Sequence, residues 1–369
     1  MNAHIQTSRS TNVRPYQDAD RDVVVGIHRA VFGEVASREF QRRWTWSQVS
    51  NPLANEAHRW TLESSQGVVG FLATIPQRYV IGRQLIVAHT PCDFMVDHAS
   101  RFHGLKLMRA FAQQCTSCVT FDDVEATIAI NRWLRIGSVT QFNRYVFPLT
   151  PLAVVRFATR TAVKGHRLPR AGSLVRWLRG QLPSPPATPY DFVRISQLDH
   201  RFDDLAERLG DAIPAMLYRD RQYLEWRYRG DSPHHTSVVT TALGANGALV
   251  GYTVSYLEPG GRRSGLIMDF AVLPDHARAT HGLLHATAAS LRSRGATNVQ
   301  AYCAGFADEP LRRTLDSCGF HSFPTTLQVM TRFGDARMHR MAMDSAAWHL
   351  QLGDTEYSHH AVTRVKDPS

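Results

Sequence analysis

The fold is decided by the sequence GVVGFLA at 67–73 and by DFMV at 93–96. Both recur later in the chain, as ALVGYTV at 248–254 and DFAV at 269–272. Each pair has the pattern of a strand that contains a glycine, followed by a strand that ends in Asp-Phe-x-Val. Because a pattern that recurs within one chain marks a repeated structural unit, the sequence predicts two related modules.

The spacing within each copy agrees with a repeat. Pro52 precedes Gly70 by 18 residues, and Pro233 precedes Gly251 by the same 18 residues. At 369 residues, the chain is too long for one ordinary core and suits two domains of about 150 residues each. The predicted boundaries are 1–150 for the first domain, 151–189 for a basic, Pro-rich linker, 190–335 for the second domain and 336–369 for a polar tail that is partly ordered at best.

The composition is typical of a soluble globular protein, with 43% hydrophobic and 20% charged residues. The opening sequence MNAHIQTSRSTNVRP lacks the apolar run of a signal peptide. No stretch reaches the roughly 18 apolar residues that a membrane-spanning helix needs. The five cysteines are an odd number without regular spacing, which favours reduced thiols. A cytoplasmic location is predicted.

The net charge of +10 is concentrated in segment 126–190, which holds ten Arg or Lys residues and no Asp or Glu. Because this basicity is local, we do not expect sequence-specific binding of nucleic acid. One interpretation of the segment is a solvated linker helix. The other is attachment of its mixed apolar and basic sequence, at the inner membrane face, to an anionic membrane surface, or to a polyanion such as tRNA. The sequence leaves the oligomeric state open.

Strand and helix patterns follow in the same order in both copies. In the first copy, strands at 67–75 and 85–96 precede a helix at 104–115. Strands at 118–121 and 140–147 are expected to pair and to complete the first sheet. The predicted fold class is mixed α/β (α+β), with two tandem domains that each contain a mostly antiparallel mixed sheet flanked by helices.

The sequence after Val96, DHASRFHGLK, predicts a phosphate-binding turn. A strand ends at Val96 and a helix begins after a short turn, so free backbone N–H groups and the positive end of the helix dipole point to one place. Gly104 has no Cβ, which would let an anion approach the backbone. Arg101, His103 and Lys106 add cationic side chains. A pyrophosphate group is the predicted ligand.

This turn, with the strand order around it, resembles the signature of the GCN5-related N-acetyltransferase (GNAT) family. That signature is R-x-x-G-x-G/A at the beginning of a helix. Arg101 and Gly104 match its first two fixed positions, whereas Lys106 replaces the final small residue. The resemblance covers nearly the whole chain as two copies, roughly 12–150 and 190–330.

The resemblance implies that acetyl-CoA or another acyl-CoA is the co-substrate and that the turn holds its pyrophosphate. In the second copy, Ala277 and Thr280 stand where the first has Arg101 and Gly104. We therefore predict that the first module binds the cofactor and that the second is mainly a scaffold or a substrate wall. The residues implied in cofactor binding are Met95, Val96, Arg101, Phe102, His103, Gly104, Leu105 and Lys106.

Transfer of an acyl group to an amine needs a group that takes the proton of the amine. The tyrosine acid that often serves in the family is absent, because the matching positions hold Trp133 and Leu315. Asp93 has an equivalent in Asp269, which fits a structural aspartate as well as a catalytic one. The remaining candidates for catalysis are Asp93, His98 and Tyr145.

No metal site is predicted. Cys115-x-x-Cys118 has no second pair at zinc spacing and fits a packed helix end. The histidine pairs at 234–235 and 359–360 have no partners at ligand spacing. The aromatic residues that open the two copies are expected to pack in the core or between the modules, with Trp46 also a candidate for an acceptor cleft. They are Trp44, Trp46, Trp226 and Tyr228.

The leading hypothesis is an acyl-CoA-dependent N-acyltransferase, in the first place an N-acetyltransferase, that acts on the primary amine of a small molecule. An amino sugar or a cell-envelope precursor is the acceptor suggested by resemblance to tandem transferases of this superfamily. Two alternatives remain. One is an aminoacyl-tRNA-dependent transferase of the peptidoglycan type (Fem-like), which would account for the basic segment. The other is a binding protein whose two modules have lost catalysis.

Overall fold

The structure is a computed structural model and describes residues 11–163, 177–178, 180, 182–260, 263–305 and 309–356. Helices flank a single large sheet. The strands are β1 (Asn12–Pro15), β2 (Arg59–Ser64), β3 (Gly67–Ile81), β4 (Gln84–Val96), β5 (Cys118–Asp122), β6 (Gly137–Pro148), β7 (Asp191–Ile195), β8 (Ala215–Leu217), β9 (Val238–Leu243), β10 (Leu249–Leu257), β11 (Ser264–Val272), β12 (Asn298–Ala304), β13 (His321–Arg332) and β14 (Trp348–Gln351). The α-helices are α1 (Arg21–Phe32), α2 (Glu34–Trp44), α3 (Leu105–Gln114), α4 (Glu125–Trp133), α5 (Pro151–Val163), α6 (Arg201–Ala212), α7 (Arg221–Tyr228), α8 (Ala279–Ser293), α9 (Glu309–Cys318) and α10 (Ala336–Ala342).

Local sequence explains where several elements begin and end. Gly33 adopts φ 88° after the last residue of α1, a conformation that ends a helix and favours glycine. The long hairpin of β3 and β4 is closed by Gly82 and Arg83, with φ of 58° and 68°. A two-residue connection with both φ values positive matches the twist of the strands that it joins. The predicted mixed α/β class is confirmed.

The two modules exchange their last strands. The strand order is β1-β2-β3-β4-β5-β13-β6-β12-β11-β10-β9-β7. Strand β13 of the second half pairs with β5 and with β6, and β6 of the first half pairs with β12. The expectation that 118–121 would pair with 140–147 was therefore wrong, because β13 lies between these strands. Strand β5 of the first half therefore lies beside β13 of the second, and β12 of the second half lies beside β6 of the first.

Two short strands close a circuit within the sheet. Strand β8 pairs with β3 on one side and with β14 on the other, and β14 also pairs with β12. The circuit runs β3-β8-β14-β12-β6-β13-β5-β4 and returns to β3. Strand β14 belongs to the segment that the sequence predicted to be a partly ordered tail. Residues 336–356 instead fold, and 347–355 are buried, because Trp348, Leu350 and Leu352 pack in the core.

A pair of tryptophans lies where the modules meet. The rings of Trp46 and Trp226 stack with centroids 4.9 Å apart and planes 4° apart. Each indole Nε1 donates to the other residue's backbone oxygen, at 2.8 and 2.9 Å. In the structure, Trp46 and Trp226 are therefore equivalent across the contact between the modules. In the sequence repeat, Trp226 aligns with Trp44 instead. Trp46 is 1% exposed, so it packs between the modules, which was one of its two predicted roles.

The basic segment contributes to the core where the structure describes it. Trp177 is fully buried and donates its indole Nε1 to the Gly319 backbone oxygen at 2.8 Å. Its ring contacts Phe157 of α5 at 4.8 Å. Trp177 is therefore not available to a lipid surface. Residues 164–176 lie outside the described residues, so attachment of the segment to a membrane or a polyanion stays a prediction. Among the described helices, none is long and apolar enough to cross a membrane.

Candidate functional site

A bulge in β4 opens a cleft in the first module. Phe71 of β3 pairs with Met95 and Ala73 pairs with Cys92, so two residues of β4 face one of β3. One of the two, Asp93, has φ 53°. Such a bulge bends its strand and turns it away from a neighbour. In the described part of β4 and β5, the two parallel strands pair at one point, His89 with Cys118.

The predicted phosphate turn lies at the mouth of this cleft. After Val96, residues His98–His103 form a 3₁₀ turn, and α3 begins after Gly104. The Asp97 side chain accepts a hydrogen bond from the Ser100 backbone N–H at 2.6 Å, which fixes the entry of the turn. The strand, turn and helix predicted from the sequence therefore occur in that order, with the N-terminus of α3 beside the end of β4.

The cationic side chains of the turn have different surroundings. Arg101 is exposed; its guanidinium stacks over the Phe102 ring at 4.9 Å and lies 3.3 Å from Nε2 of His98. Phe102 is 81% exposed. The Lys106 ammonium instead donates to the backbone oxygen and the hydroxyl of Thr11, at 2.5 and 2.9 Å. Arg101 is thus open to a ligand, whereas Lys106 ties α3 to the residue before β1.

Gly104 also has a packing role. A Cβ built there would lie 3.0 Å from the Phe94 ring and 3.1 Å from a Val96 methyl group. The glycine therefore lets the start of α3 approach β4 closely. In the second module, a Cβ on Gly282 of α8 would overlap the Phe192 ring of β7. A small residue is thus needed near the start of each helix. The two glycines are not equivalent in the repeat, because Gly104 aligns with Thr280, two residues before Gly282.

The structure does not bring the three predicted catalytic residues together. Asp93 forms an ion pair with Arg43 of α2 at 2.9 Å, and both side chains are about one tenth exposed. His98 lies on the exposed turn beside Arg101. Tyr145 lies on β6 opposite Ala301 and Ser322 of the second half. Burial, with the nearby Cys303 and Asp316, raises the pKa of Tyr145 to about 12.

Sequence reasoning missed His28 of α1, which lies near Asp93. His28 is 5% exposed, its ring stacks on Phe40 at 4.4 Å, and its Nδ1 has no hydrogen-bond partner among the described residues. Burial lowers the pKa of His28, opposed by the Asp93 carboxylate and assisted by Arg43. His28 is therefore a neutral imidazole at pH 7. The signal was its place on the apolar face of α1, one turn after Val24.

The corresponding cleft of the second module is filled. Strands β11 and β12 pair from Ser264–Asn298 to Ile267–Ala301, and the C-terminal segment then takes the place beside β12. The turn that follows β14 packs on β11 so closely that a Cβ on Gly353 would lie 2.7 Å from the Met268 backbone oxygen.

A buried ion network lies where this segment meets β11. The Arg219 guanidinium binds both carboxylate oxygens of Asp354, at 2.6 and 3.2 Å, and lies 3.2 Å from Asp269. All three side chains are at most 1% exposed. Burial raises the pKa of Asp269 to about 6, and Asp354 adds to this rise while Arg219 opposes it. Asp269 is therefore a structural residue of the closed cleft.

No protein-family model and no curated protein matches the chain. Solved structures do. A probable N-acyltransferase from Enterococcus faecalis matches with TM-score 0.57 and 10% identity over 89% of this chain and 74% of that one. A GCN5-related N-acetyltransferase from Kribbella flavida matches with TM-score 0.58 and 15% identity, over 90% and 73%. N-myristoyltransferase of Saccharomyces cerevisiae with bound myristoyl-CoA matches with TM-score 0.54 and 11% identity, over 90% and 85%.

These matches and the strand order define the class of the protein: it has the GNAT fold. Because single alignments span about 90% of the chain, the likeness holds for the two modules together. Within that class, this chain is a two-module protein whose two strand clefts differ: β4 and β5 pair at one described point, whereas the C-terminal segment packs beside β11 and β12.

Proposed function

We propose that the chain is an acyl-CoA-dependent N-acyltransferase whose first module binds the acyl-CoA. The observation that carries the proposal is the difference between the two clefts. In the first, β4 and β5 pair at one described point, beside a turn that leads into the N-terminus of α3 and carries the exposed Arg101. In the second, β11 and β12 keep four pairs and the C-terminal segment packs beside them. The GNAT fold of the neighbours supports the same class of reaction.

The residues of the first module suit the parts of a CoA thioester. The turn from 98 to 104 offers backbone N–H groups and the positive end of α3 to the pyrophosphate, and Arg101 adds a charge-assisted contact. Met95 and Val96 follow the bulge and pair with β3, so the other edge of β4 at these residues faces the side on which β5 lies. A backbone N–H there would stabilise the negative charge that develops on the thioester oxygen.

His28 is the proposed acceptor of the amine proton. A protonated amine cannot attack a thioester, so a base must take one proton as the new C–N bond forms and the C–S bond breaks. His28 is neutral because burial lowers its pKa, and its Nδ1 is free of hydrogen bonds within the described residues. The neighbouring Asp93–Arg43 pair would orient this site, and the released CoA thiolate takes up a proton as it leaves.

The acceptor is proposed to be the primary amine of a small molecule, such as an amino sugar or an envelope precursor. One similar structure is a glucosamine N-acetyltransferase region of a fungal enzyme, at TM-score 0.52 and 13% identity. Other neighbours carry bound myristoyl-CoA. An acetyl group is the proposed acyl group, and a long-chain acyl-CoA is the comparison to test against it.

Calorimetry with acetyl-CoA and with myristoyl-CoA tests the proposal. Arg101→Glu places a negative charge at the proposed pyrophosphate site and should weaken binding at least about tenfold, equivalent to about 1.4 kcal/mol. The matched control is Arg278→Glu, an exposed arginine before α8 in the corresponding turn of the second module. That variant should bind as the wild type does. Absence of acyl-CoA binding, or an equal loss in both variants, would contradict the proposal.

A further inference from the structure

Three potential metal ligands meet at the other end of β4. His58, His89 and Cys115 each offer one ligand atom, and these atoms lie within 4.8 Å of one another. The rings of His58 and His89 have centroids 5.1 Å apart. The residues are far apart in sequence, so no ligand spacing in the sequence could reveal them.

The backbone holds each of the three in place. The His58 backbone N–H donates to the hydroxyl of Thr74 on β3 at 2.9 Å. The His89 backbone N–H donates to the Ser117 oxygen at 3.1 Å, just before β5. Cys115 follows the last residue of α3, and its N–H donates to the Phe111 oxygen at 2.8 Å. Backbone hydrogen bonds therefore hold all three residues: His89 lies within β4, His58 directly precedes β2 and Cys115 directly follows α3.

The hydrogen bonding of His89 leaves a ring nitrogen available to a cation. Nε2 of His89 lies 3.0 Å from the Glu56 backbone oxygen. A ring nitrogen that donates to a carbonyl leaves the other nitrogen with a free lone pair, which is the usual arrangement of a metal-binding histidine.

The Cys115 thiol is protonated when no cation is present, because burial and Cys118 raise its pKa to about 12. Arg332 acts in the opposite direction: its guanidinium donates to the Cys115 backbone oxygen at 2.8 Å and favours a thiolate. Among the described residues, neither the Cys115 thiol nor a His58 ring nitrogen has a hydrogen-bond partner. Both are therefore free to act as ligands.

We propose that His58, His89 and Cys115 bind one Zn²⁺ ion, with a water molecule as the fourth ligand. Two imidazole nitrogens and one thiolate suit zinc, whose bonds of about 2.0–2.3 Å bring tetrahedral ligands to within about 3.5 Å of one another. Small side-chain rotations would close the present spacing. As the Zn–S bond forms, the Cys115 proton leaves to solvent.

A cavity of about 480 Å³ beside the cluster provides the open side. His58, Trp60 and Gln114 form part of its wall, together with Tyr16 and Asp18. The cavity gives an ion and a water molecule access to His58. Since α3 ends at Gln114, the negative end of its dipole also points toward the cluster, which favours a cation.

The cluster lies away from the proposed acyl-CoA site. His89 is seven residues before Val96, about 23 Å along an extended strand, so the cluster is remote from the phosphate turn. It lies where β4 and β5 make their one described pair, His89 with Cys118. An ion there would tie β4, the start of β2 and the end of α3 together at the closed end of the cleft.

Titration of the metal-free full chain with Co²⁺ tests the site, because a cobalt–thiolate bond produces a charge-transfer absorption band. We expect saturation at one equivalent, d–d bands of a four-coordinate ion, and displacement by Zn²⁺. Cys115→Ala should abolish the charge-transfer band. His58→Gln and His89→Gln should each weaken Co²⁺ binding at least about tenfold.

The matched control is Cys118→Ala, which removes a buried thiol three residues away that is not part of the cluster. It should retain the band, and circular dichroism should show that both cysteine variants fold. If the wild type takes up no stoichiometric Co²⁺, or if Cys118→Ala loses the band while Cys115→Ala keeps it, the assignment is wrong. The test needs no acyltransferase activity, so its result is independent of the proposed function.

Discussion

The two strand clefts of this protein start from the same sequence pattern and end in different structures. In the first module, β4 bulges at Asp93 and pairs with β5 at one described point. In the second, the equivalent strand keeps four pairs with β12, and the C-terminal segment fills the rest of the gap. The repeat therefore preserves the architecture of the cleft but not its accessibility.

The aspartates of the two Asp-Phe-x-Val sequences show the same difference. Asp93 pairs with one arginine near the surface, at about one tenth exposure. Asp269 shares Arg219 with a second carboxylate, Asp354, and none of these side chains reaches solvent. One arginine cannot neutralise two buried carboxylates, so the second module holds a network with excess negative charge where the first holds a single ion pair.

Removing the arginine should have the largest effect on stability in the second module. Arg219→Met leaves two carboxylates buried without a cation and should lower the free energy of unfolding by about 3–5 kcal/mol. Arg43→Met, the matched change in the first module, should cost about 1–2 kcal/mol, because it leaves one carboxylate without its partner where Arg219→Met leaves two. Urea denaturation of both variants measures the difference. Equal losses would show that the two networks are equivalent.

The pH dependence of stability should distinguish Asp269 from an ordinary ion-paired carboxylate. Its pKa rises from 3.8 to about 6 on folding, so the folded chain holds the proton more tightly than the unfolded chain. This tighter binding of the proton stabilises the fold by up to about 3 kcal/mol, and the full stabilisation is present below pH 3.8. It is lost as the pH rises through about 6.

Asp269→Asn keeps the shape and removes this titration. The variant should therefore be at least as stable as the wild type at pH 8 and should lose the decline between about pH 4 and 6. Urea denaturation at several pH values gives the comparison. A variant that is several kcal/mol less stable at pH 8 would show instead that the ionised carboxylate stabilises the fold.

Replacing His28, the proposed general base, should affect turnover and not the binding of acyl-CoA. His28→Gln should reduce kcat by about 10²-fold, equivalent to about 2.7 kcal/mol, with little change in the affinity for acyl-CoA. Because burial lowers the pKa of His28 below its ordinary value of 6.5, wild-type activity should persist below pH 6.5 and fall only at lower pH. The variant should lack that acidic limb.

The control for this variant is His276→Gln, which changes a histidine that contacts Tyr190 in the second module. Its steady-state rate and pH profile should match those of the wild type. If His28→Gln retains the acidic limb, another group accepts the proton.

Most helices and strands followed from local sequence. The strand that ends at Val96 and the helix after Gly104 both lie where the residue pattern placed them. The partners of the strands did not follow, because β13 comes from a distant part of the chain and only long-range packing places it between β5 and β6. Strand exchange between repeats leaves no local signal.

The candidate site, too, was predictable from the sequence only in part. The turn with Arg101 could be identified from the sequence, because a strand, a basic turn and a helix are consecutive. The surroundings of Lys106 and Tyr145 could not, since Thr11 and the second-half strands β12 and β13 reach them from distant parts of the chain. His28 was overlooked because a histidine on an apolar helix face is ordinarily a core residue.

The sequence by itself determined that the chain is a duplicated α/β protein and that its first copy carries the phosphate-type turn. Periodicity, glycine positions and local charge are properties of neighbouring residues, so the sequence alone shows them. Only the tertiary structure decided which cleft is open, that the tail fills the other, and that His58, His89 and Cys115 share one point. These features depend on contacts between residues far apart in the chain, which packing of the whole sheet alone establishes.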